Sequence, residues 1–327
     1  MKIAIDLGRY STQAIANGQR VSFPSVLGEG KEFSPFSQND NLTLIALGRD
    51  WLIGDTALEQ SSFSVHDRSR EWIQSDRFLV LTLAAINQLT KENRVDVELI
   101  TGLPHSDWKY LRTDLEKRLV GEYFVNGYQQ INIHTIKVFT QAIAGIIDYA
   151  SDSQGRYLVD KIQNKLIGCI NVGSHTVEIG TVQFDANLNQ KLIVNHCKSL
   201  SDGVWKAVSI LGQRLASELP QSSYDEYELD NILRTGKAQS FGEKDVSHIT
   251  EQVQNEYFDY LMSECRKVWT DQEQRYSLDK LHTIVCVGGK GFEFGTYLLN
   301  KGFHPNIHLS RDGQWATVRG YEKFGMR

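Results

Sequence analysis

Ile5-Asp6-Leu7-Gly8, an apolar run closed by a glycine, is followed by the polar stretch Arg9-Tyr10-Ser11-Thr12-Gln13 and a second apolar run, Ala14 to Ala16. The same order returns in the second half of the chain as Ile170-Asn171-Val172-Gly173, the polar residues Ser174-His175-Thr176, and the run Val177 to Phe184. Each half therefore opens on a buried strand, a glycine turn and a return strand. Asn17-Gly18 is a two-residue hairpin signal leading to a third strand at Val21 to Phe23, so the first 25 residues read as a β-meander. A Rossmann or P-loop site needs a helix straight after its glycine loop, and the pattern predicts none there.

Outward from these two points the chain alternates strands and helices. Arg77 to Thr90 is mostly apolar and predicts a buried helix; Val95 to Thr101 predicts a strand ending at Gly102-Leu103-Pro104. Ser106 or Asp107 is placed to cap a helix with Trp108, Leu111, Leu115 and Leu119 on one face. Ile131 to Phe139 predicts a strand and Gln141 to Ala150 a helix behind it. Two short strands are expected between Asn39 and Ile53, and single strands at Leu192 to Leu200 and His282 to Val287. Helices are expected at Gly203 to Leu219, near Leu229 to Leu233, and along Ile249 to Val268. The polar stretch Ser151 to Arg156 reads as the linker, giving domains of 1–150 and 151–327, with the last helix returning to the first domain. Two similar α/β halves predict a ligand cleft between them.

At 327 residues the length suits two domains. The net charge of −5, with no basic block, argues against a surface built to grip nucleic acid directly. Cys169, Cys197, Cys265 and Cys286 fit no CxxC spacing and read as reduced thiols. The densest apolar stretch, Phe78 to Ile86, is far shorter than the roughly 20 residues that span a membrane. A soluble, cytoplasmic protein without membrane contact is expected. Arg68, Arg70 and Arg77, interleaved with Asp67, Glu71 and Asp76, read as a solvated mixed-charge face. Trp51, Trp72 and Trp108 are placed either in the core or at subunit contacts.

The chemistry lies in the glycine turns. Successive backbone N–H groups of such a turn form an anion site without any basic residue. Gly8 with Arg9, Tyr10 and Ser11 is suited to one phosphate, and Gly173 with Ser174, His175 and Thr176 to another. Asp6 is placed to hold water on a Mg²⁺ that bridges phosphates. Val287-Gly288-Gly289-Lys290-Gly291 follows a strand, and its glycine pair lets a base or ribose approach the backbone closely.

In this order the three turns resemble those of the actin-like ATPase superfamily, a ribonuclease H-like α/β fold of duplicated domains around a nucleotide cleft, and within it the ParM/StbA group of bacterial and plasmid proteins. Further stretches similar to that group are Phe23-Pro24-Ser25, Thr101-Gly102-Leu103-Pro104, Leu233-Arg234-Thr235-Gly236-Lys237 and Ala316 to Gly325. The resemblance implies an ATP- or GTP-dependent filament with Mg²⁺ as cofactor. It also implies slow hydrolysis, head-to-tail self-association, and a DNA-binding adaptor that couples the filament to a plasmid. It places Gln141 where the hydrolytic water is oriented. Two positions depart from the family pattern: Gln13 replaces a Lys of the first motif, and Asn171 replaces the Asp that opens the second. Asn171 can still reach a metal through water, and Arg9 or Lys290 is placed to supply the missing positive charge. The resemblance leaves room for a non-hydrolysing scaffold or a small-molecule kinase of the same superfamily.

Overall fold

Lys2 to Leu7 alternates strictly. Ile3, Ile5 and Leu7 enter one apolar core, while Ala4 belongs to another on the opposite face. This strand, β1 (Lys2–Leu7), starts the meander that continues through β2 (Ser11–Ala16) and β3 (Gln19–Pro24). Asn17 (φ 50°) and Gly18 (φ 77°) both adopt the left-handed conformation that a two-residue hairpin turn demands. The computed structural model describes residues 1–30, 42–61, 70–220, 222–240, 242–270 and 277–327. Asp67, Arg68 and the first residues of the stretch expected from Asn39 lie outside them.

β4 (Leu27–Glu29), β5 (Thr43–Ala46) and β6 (Arg49–Ile53) form a small antiparallel sheet in the order β4-β6-β5. After α1 (Asp55–Gln60) comes α2 (Asp76–Leu89), which packs on the β1–β3 meander and is buried along most of its length. β7 (Arg94–Leu103) lies parallel to β1. α3 (His105–Leu119) follows, then β8 (Gly121–Val125) and β9 (Gln129–Thr140), completing a six-stranded sheet in the order β3-β2-β1-β7-β9-β8. Neither Ser106 nor Asp107 caps α3: Pro104 occupies the N-cap position, and both residues lie within the first turn. α4 (Gln141–Ala150) and α5 (Val159–Ile162) follow.

The chain then builds a second sheet. β10 (Leu166–Val172) pairs antiparallel with β11 (Val177–Phe184). β12 (Gln190–Leu192) and β13 (Lys198–Leu200) replace the single strand expected from Leu192 to Leu200, because a 3₁₀ turn at Val194–His196 interrupts it. α6 (Val204–Glu218), α7 (Glu226–Thr235), the hairpin of β14 (Lys237–Gln239) and β15 (Glu243–Asp245), and α8 (Ser247–Val268) come next. Asp225 and Glu228 cap α7 reciprocally, and Gly236 ends it in the left-handed conformation. β16 (Thr283–Val287) lies parallel to β10, α9 (Gly291–Asn300) follows it, and β17 (Ile307–Leu309) completes the order β12-β11-β10-β16-β17. α10 (Ala316–Gly325) ends the chain on β1, β2, β7 and α4.

Two compact units result. One comprises Met1–Asn164, Phe184–Asn189 and Gln314–Arg327; the other comprises Lys165–Gln183 and Gln190–Gly313. The stretch Ser151 to Arg156 lies inside the first unit, folded as a turn in which Asp152 accepts hydrogen bonds from the N–H groups of Gln154 and Arg156. The repeat in the sequence is a repeat in topology. β1 pairs antiparallel with β2 and parallel with β7, as β10 does with β11 and β16. Trp51 and Trp72 are buried in the first core, and Trp108 is half-buried against it. All four cysteines are free thiols. Among the described residues no helix is long and apolar enough to cross a membrane.

Candidate functional site

In the first unit, alternation along β1 puts Asp6 on the face opposite Ile5 and Leu7, the side covered by α4 and α10. Gln141 is the first residue of α4, and its Nε2 donates to Asp6 Oδ1 at 3.1 Å. A carboxylate takes the N–H end of the amide, so the carbonyl end of Gln141 remains to accept from water. Burial pushes the Asp6 carboxyl up to about 6, while the Gln141 bond acts in the opposite direction. Gln13 is the cross-strand partner of Asp6 and is itself buried.

The turn after Asp6 is held by Ser25. Its N–H donates to Tyr10 O at 2.9 Å, its hydroxyl donates to Gly8 O at 2.5 Å, and the same hydroxyl lies 2.9 Å from Thr12 Oγ1. A Cβ on Gly8 would stand 2.8 Å from Ser11 O, so the turn closes too tightly for a side chain there. Gly8, Arg9, Tyr10 and Ser11 thus form a fixed loop at the end of the strand that carries Asp6.

The second unit repeats the plan with the charges exchanged. Asn171, on β10, stands opposite Glu178 on β11, both buried. Asp6 with Gln13 and Asn171 with Glu178 are corresponding cross-strand pairs, each an acid facing an amide, in reversed order. Ser199 donates to Glu178 Oε2 at 2.6 Å. Gly173 N–H donates to Thr176 O at 3.0 Å and closes the turn. The carbonyls of Gly173, Ser174 and His175 accept from the N–H groups of Val204, Trp205 and Gly203 at the start of α6. Ser174 Oγ lies 3.0 Å from His175 Nδ1, and the imidazole packs on Trp205.

The third turn is seated on the second. Gly288 has φ 91°, and a Cβ there would meet Asn171 Oδ1 at 2.4 Å and Val172 O at 2.5 Å. Gly288 N–H donates to Gly313 O at 2.9 Å, and Lys290 N–H to Val172 O at 3.3 Å. Gly289 has nothing within 4 Å of its Cβ position, which leaves open space above its backbone. The Lys290 ammonium is paired with Glu293 at 3.0 Å. That pairing offsets the charge Lys290 was expected to lend to phosphates.

Asp6 with Gln141 thus meet in one unit, and Asn171, Gly173 to Thr176, and Gly288 to Lys290 meet in the other. Ser25 and Gly203 were not recognised as site residues. Ser25 carries no charge to mark it, and Gly203 stands outside any glycine motif. Yet a Cβ on Gly203 would come within 2.3 Å of Ser174 O. A hard cation fits what is present in the first unit: an anionic oxygen donor, Asp6, beside an amide, Gln141. Among the described residues no group of three His, Cys, Asp or Glu side chains is arranged to hold a metal by itself.

Two sheets built on the same strand–turn–strand plan, with a glycine turn ending the first strand of each, define an actin-like fold. Residues 4–143 match the family described as "Actin like proteins N terminal domain". By structure the chain is similar to the ParM of a 15-stranded filament from Clostridium botulinum, at 20% identity and TM-score 0.81, covering 99% of this chain and 98% of that one. It is similar to Ta0583, an archaeal actin homologue solved in complex with ADP, at 17% identity and TM-score 0.78, with 99% and 98% covered. A third similar structure is the Alp12 filament, at 16% identity and TM-score 0.64, with 98% and 97% covered. No curated protein is matched by sequence. Residues 4–143 thus match an actin-like N-terminal domain, and the chain has an actin-like fold over its length.

Proposed function

We propose that this chain is a cytomotive filament protein that binds ATP or GTP with Mg²⁺ through the turns at Gly8, Gly173 and Gly288. The observation that carries the reading is the Gln141–Asp6 hydrogen bond beside the first glycine turn. Asp6 would hold Mg²⁺, and the cation would supply charge neutralisation of the phosphates. Gln141 keeps its N–H end on Asp6 and presents its carbonyl to a water molecule, orienting it without acting as a strong base; slow hydrolysis follows. Backbone N–H groups of residues 8–11 and 174–176 would hold phosphate oxygens, the Gly173 N–H being taken by Thr176 O, and the open backbone at Gly289 would admit the base or ribose.

Two of the similar structures are filaments, which supports self-association of this chain; in this reading it assembles head to tail in the cytoplasm. Such a heterologous contact extends without closing, and hydrolysis then destabilises the polymer by shifting subunit conformation. A plasmid or other cargo is attached through a DNA-binding adaptor. A second reading, a scaffold that binds nucleotide without turning it over, is favoured by neutral Gln13 and Asn171 and by the Lys290–Glu293 pair.

Light scattering at rising protein concentration, with Mg-ATP, Mg-GTP, a non-hydrolysable analogue or no nucleotide, tests these readings when phosphate release is followed in parallel. A nucleotide-dependent critical concentration with release following assembly supports the first. Filaments without release support the second, and no assembly under any nucleotide defeats both.

A further inference from the structure

α10 packs on both elements that carry the Gln141–Asp6 pair, α4 and β1, and it does so within the first unit. Gly320 lies directly on α4: a Cβ there would fall 2.0 Å from Ala144 O, so glycine alone allows the two helices to approach this closely. One turn further along α4, Asp148 is gripped by two cations of α10. Arg319 binds it through Nε at 3.1 Å and Nη2 at 2.7 Å, and Lys323 Nζ reaches its Oδ1 at 2.7 Å. Lys323 also donates to Asp148 O at 2.9 Å and Ser151 O at 3.1 Å at the C-terminal end of α4. These three side chains are largely buried, between 10% and 17% exposed, so solvent screens the ion pairs little.

The same helix holds the strands. Phe139, two residues before Gln141, packs against Tyr321 and Phe324. Tyr321 occupies the space that a Cβ on Gly102 of β7 would need. Lys2 Nζ, on the strand that carries Asp6, donates to Gly325 O at 2.5 Å. α10 therefore grips both the strand bearing Asp6 and the helix bearing Gln141.

We infer that Asp148, Arg319, Lys323 and Gly320 are positioning residues: through the axial placement of α4 they hold the Gln141 amide against Asp6, and so control hydrolysis without touching nucleotide. The inference rests on the catalytic reading of Gln141 given above. α4 has ten residues, and a rigid helix pinned at Ala144 and Asp148 transmits a small axial shift to its first residue. Positioning errors near 1 Å cost reaction rates of the order of a hundredfold.

The test is a double-mutant cycle on full-length protein, using Gln141→Ala, Asp148→Asn and the double variant, with Arg319→Lys as the conservative variant. Phosphate release per polymerised subunit and affinity for a fluorescent ATP analogue are both measured. Asp148→Asn is expected to lower release tenfold or more while changing affinity less than threefold and to add no further loss on top of Gln141→Ala; Arg319→Lys, which keeps a cation on Asp148, is expected to have a milder effect. In nucleotide-free protein the side-chain amide NMR signal of Gln141, assigned by its disappearance in Gln141→Ala, shifts in Asp148→Asn and stays in place in Glu218→Gln, a substitution in the second unit. Losses that multiply in the double variant, or a Gln141 signal unmoved by Asp148→Asn, overturn the positioning role and leave the catalytic reading standing. Wild-type phosphate release from Gln141→Ala overturns both. Gly320→Ala, expected to separate α4 from α10, serves as a second probe where Asp148→Asn folds poorly, and an unmoved Gln141 signal there has the same overturning force.

Discussion

Gln141 donates its side-chain amide to Asp6 at 3.1 Å across 135 residues of sequence, joining the one acid of β1 to the first residue of α4. Burial disfavours the charge of Asp6 and pushes its carboxyl up from the ordinary 3.8 of an unfolded chain to about 6. The native state thus holds the proton more tightly than the unfolded state. Its contribution is fully stabilising below about 3.8, declines as pH rises through about 6, and is absent above. From that shift the ionised carboxylate costs nucleotide-free protein about 3 kcal/mol at pH 7, to order of magnitude. Asp6→Asn, neutral at every pH and still able to accept from Gln141, is expected to be more stable than wild type at pH 7, with the difference shrinking several-fold by pH 4. Urea unfolding at both pH values reads it directly. An Asn variant no more stable than wild type at pH 7 removes the case for a desolvated carboxylate.

Gly288 and Gly289 are neighbours with opposite expected responses to the same substitution. Gly288→Ala forces a side chain into φ 91° and against Asn171 Oδ1 and Val172 O, and is expected to destabilise the second unit by roughly 2–4 kcal/mol. Gly289→Ala meets no atom within 4 Å and should leave thermal stability within about 0.5 kcal/mol. Under the proposed function it lowers nucleotide affinity, since the added methyl enters the space taken by ligand. Melting curves and titration with a fluorescent ATP analogue separate the two. Equal losses of stability for both variants contradict the geometry.

Ser25 fixes the first glycine turn with one N–H and one hydroxyl. Ser25→Ala leaves the Gly8 carbonyl and the Thr12 hydroxyl short of a partner inside the unit, which is expected to cost about 1–3 kcal/mol. Because the loop at residues 8–11 then loses its anchor, ATP binding should weaken more than that of Ser199→Ala, whose hydroxyl binds Glu178 on β11. A Ser25→Ala protein of unchanged melting temperature would falsify the anchoring role.

What the sequence made legible follows from local physics. β1 to β3 were readable because alternation and Asn17-Gly18 are short-range signals, and α8 because 22 residues keep one apolar face. β8 (Gly121–Val125) escaped, although Asn126 (φ 53°) and Gly127 (φ 73°) repeat the hairpin signal. Its Glu122 and Phe124 face solvent and Tyr123 is only half-buried, which dilutes the apolar pattern. The run from Leu192 to Leu200 looked continuous because Ile193 and Val194 are apolar, yet Val194 is exposed on the 3₁₀ turn. The site divided similarly. Glycine turns at strand ends were visible, whereas the Gln141–Asp6 bond, the Ser25 anchor and the tight seat of Gly203 depend on tertiary approach. The Lys290–Glu293 pair, three residues apart on one helical turn, was within reach of a spacing argument.

Gln13 tests the departure at the first motif. It is buried opposite Asp6 in the β1–β2 register, and cross-strand partners share one face of the sheet within about 5.5 Å between Cβ atoms. A lysine there brings its ammonium beside the Asp6 carboxylate, and an opposite charge at that range lowers a carboxyl pKa by roughly one to three units. Gln13→Lys is therefore expected to move the Asp6 midpoint down from about 6 and to shift the pH dependence of stability in the same direction. With phosphates bound, the added cation should raise ATP affinity several-fold and steepen its fall with salt. Titration with the fluorescent analogue at two ionic strengths, alongside unfolding at pH 5 and 7, checks both consequences. Tighter binding with phosphate release still absent favours the scaffold reading, because the missing cation would then limit affinity alone; faster release together with tighter binding shows that Gln13 also restrains turnover.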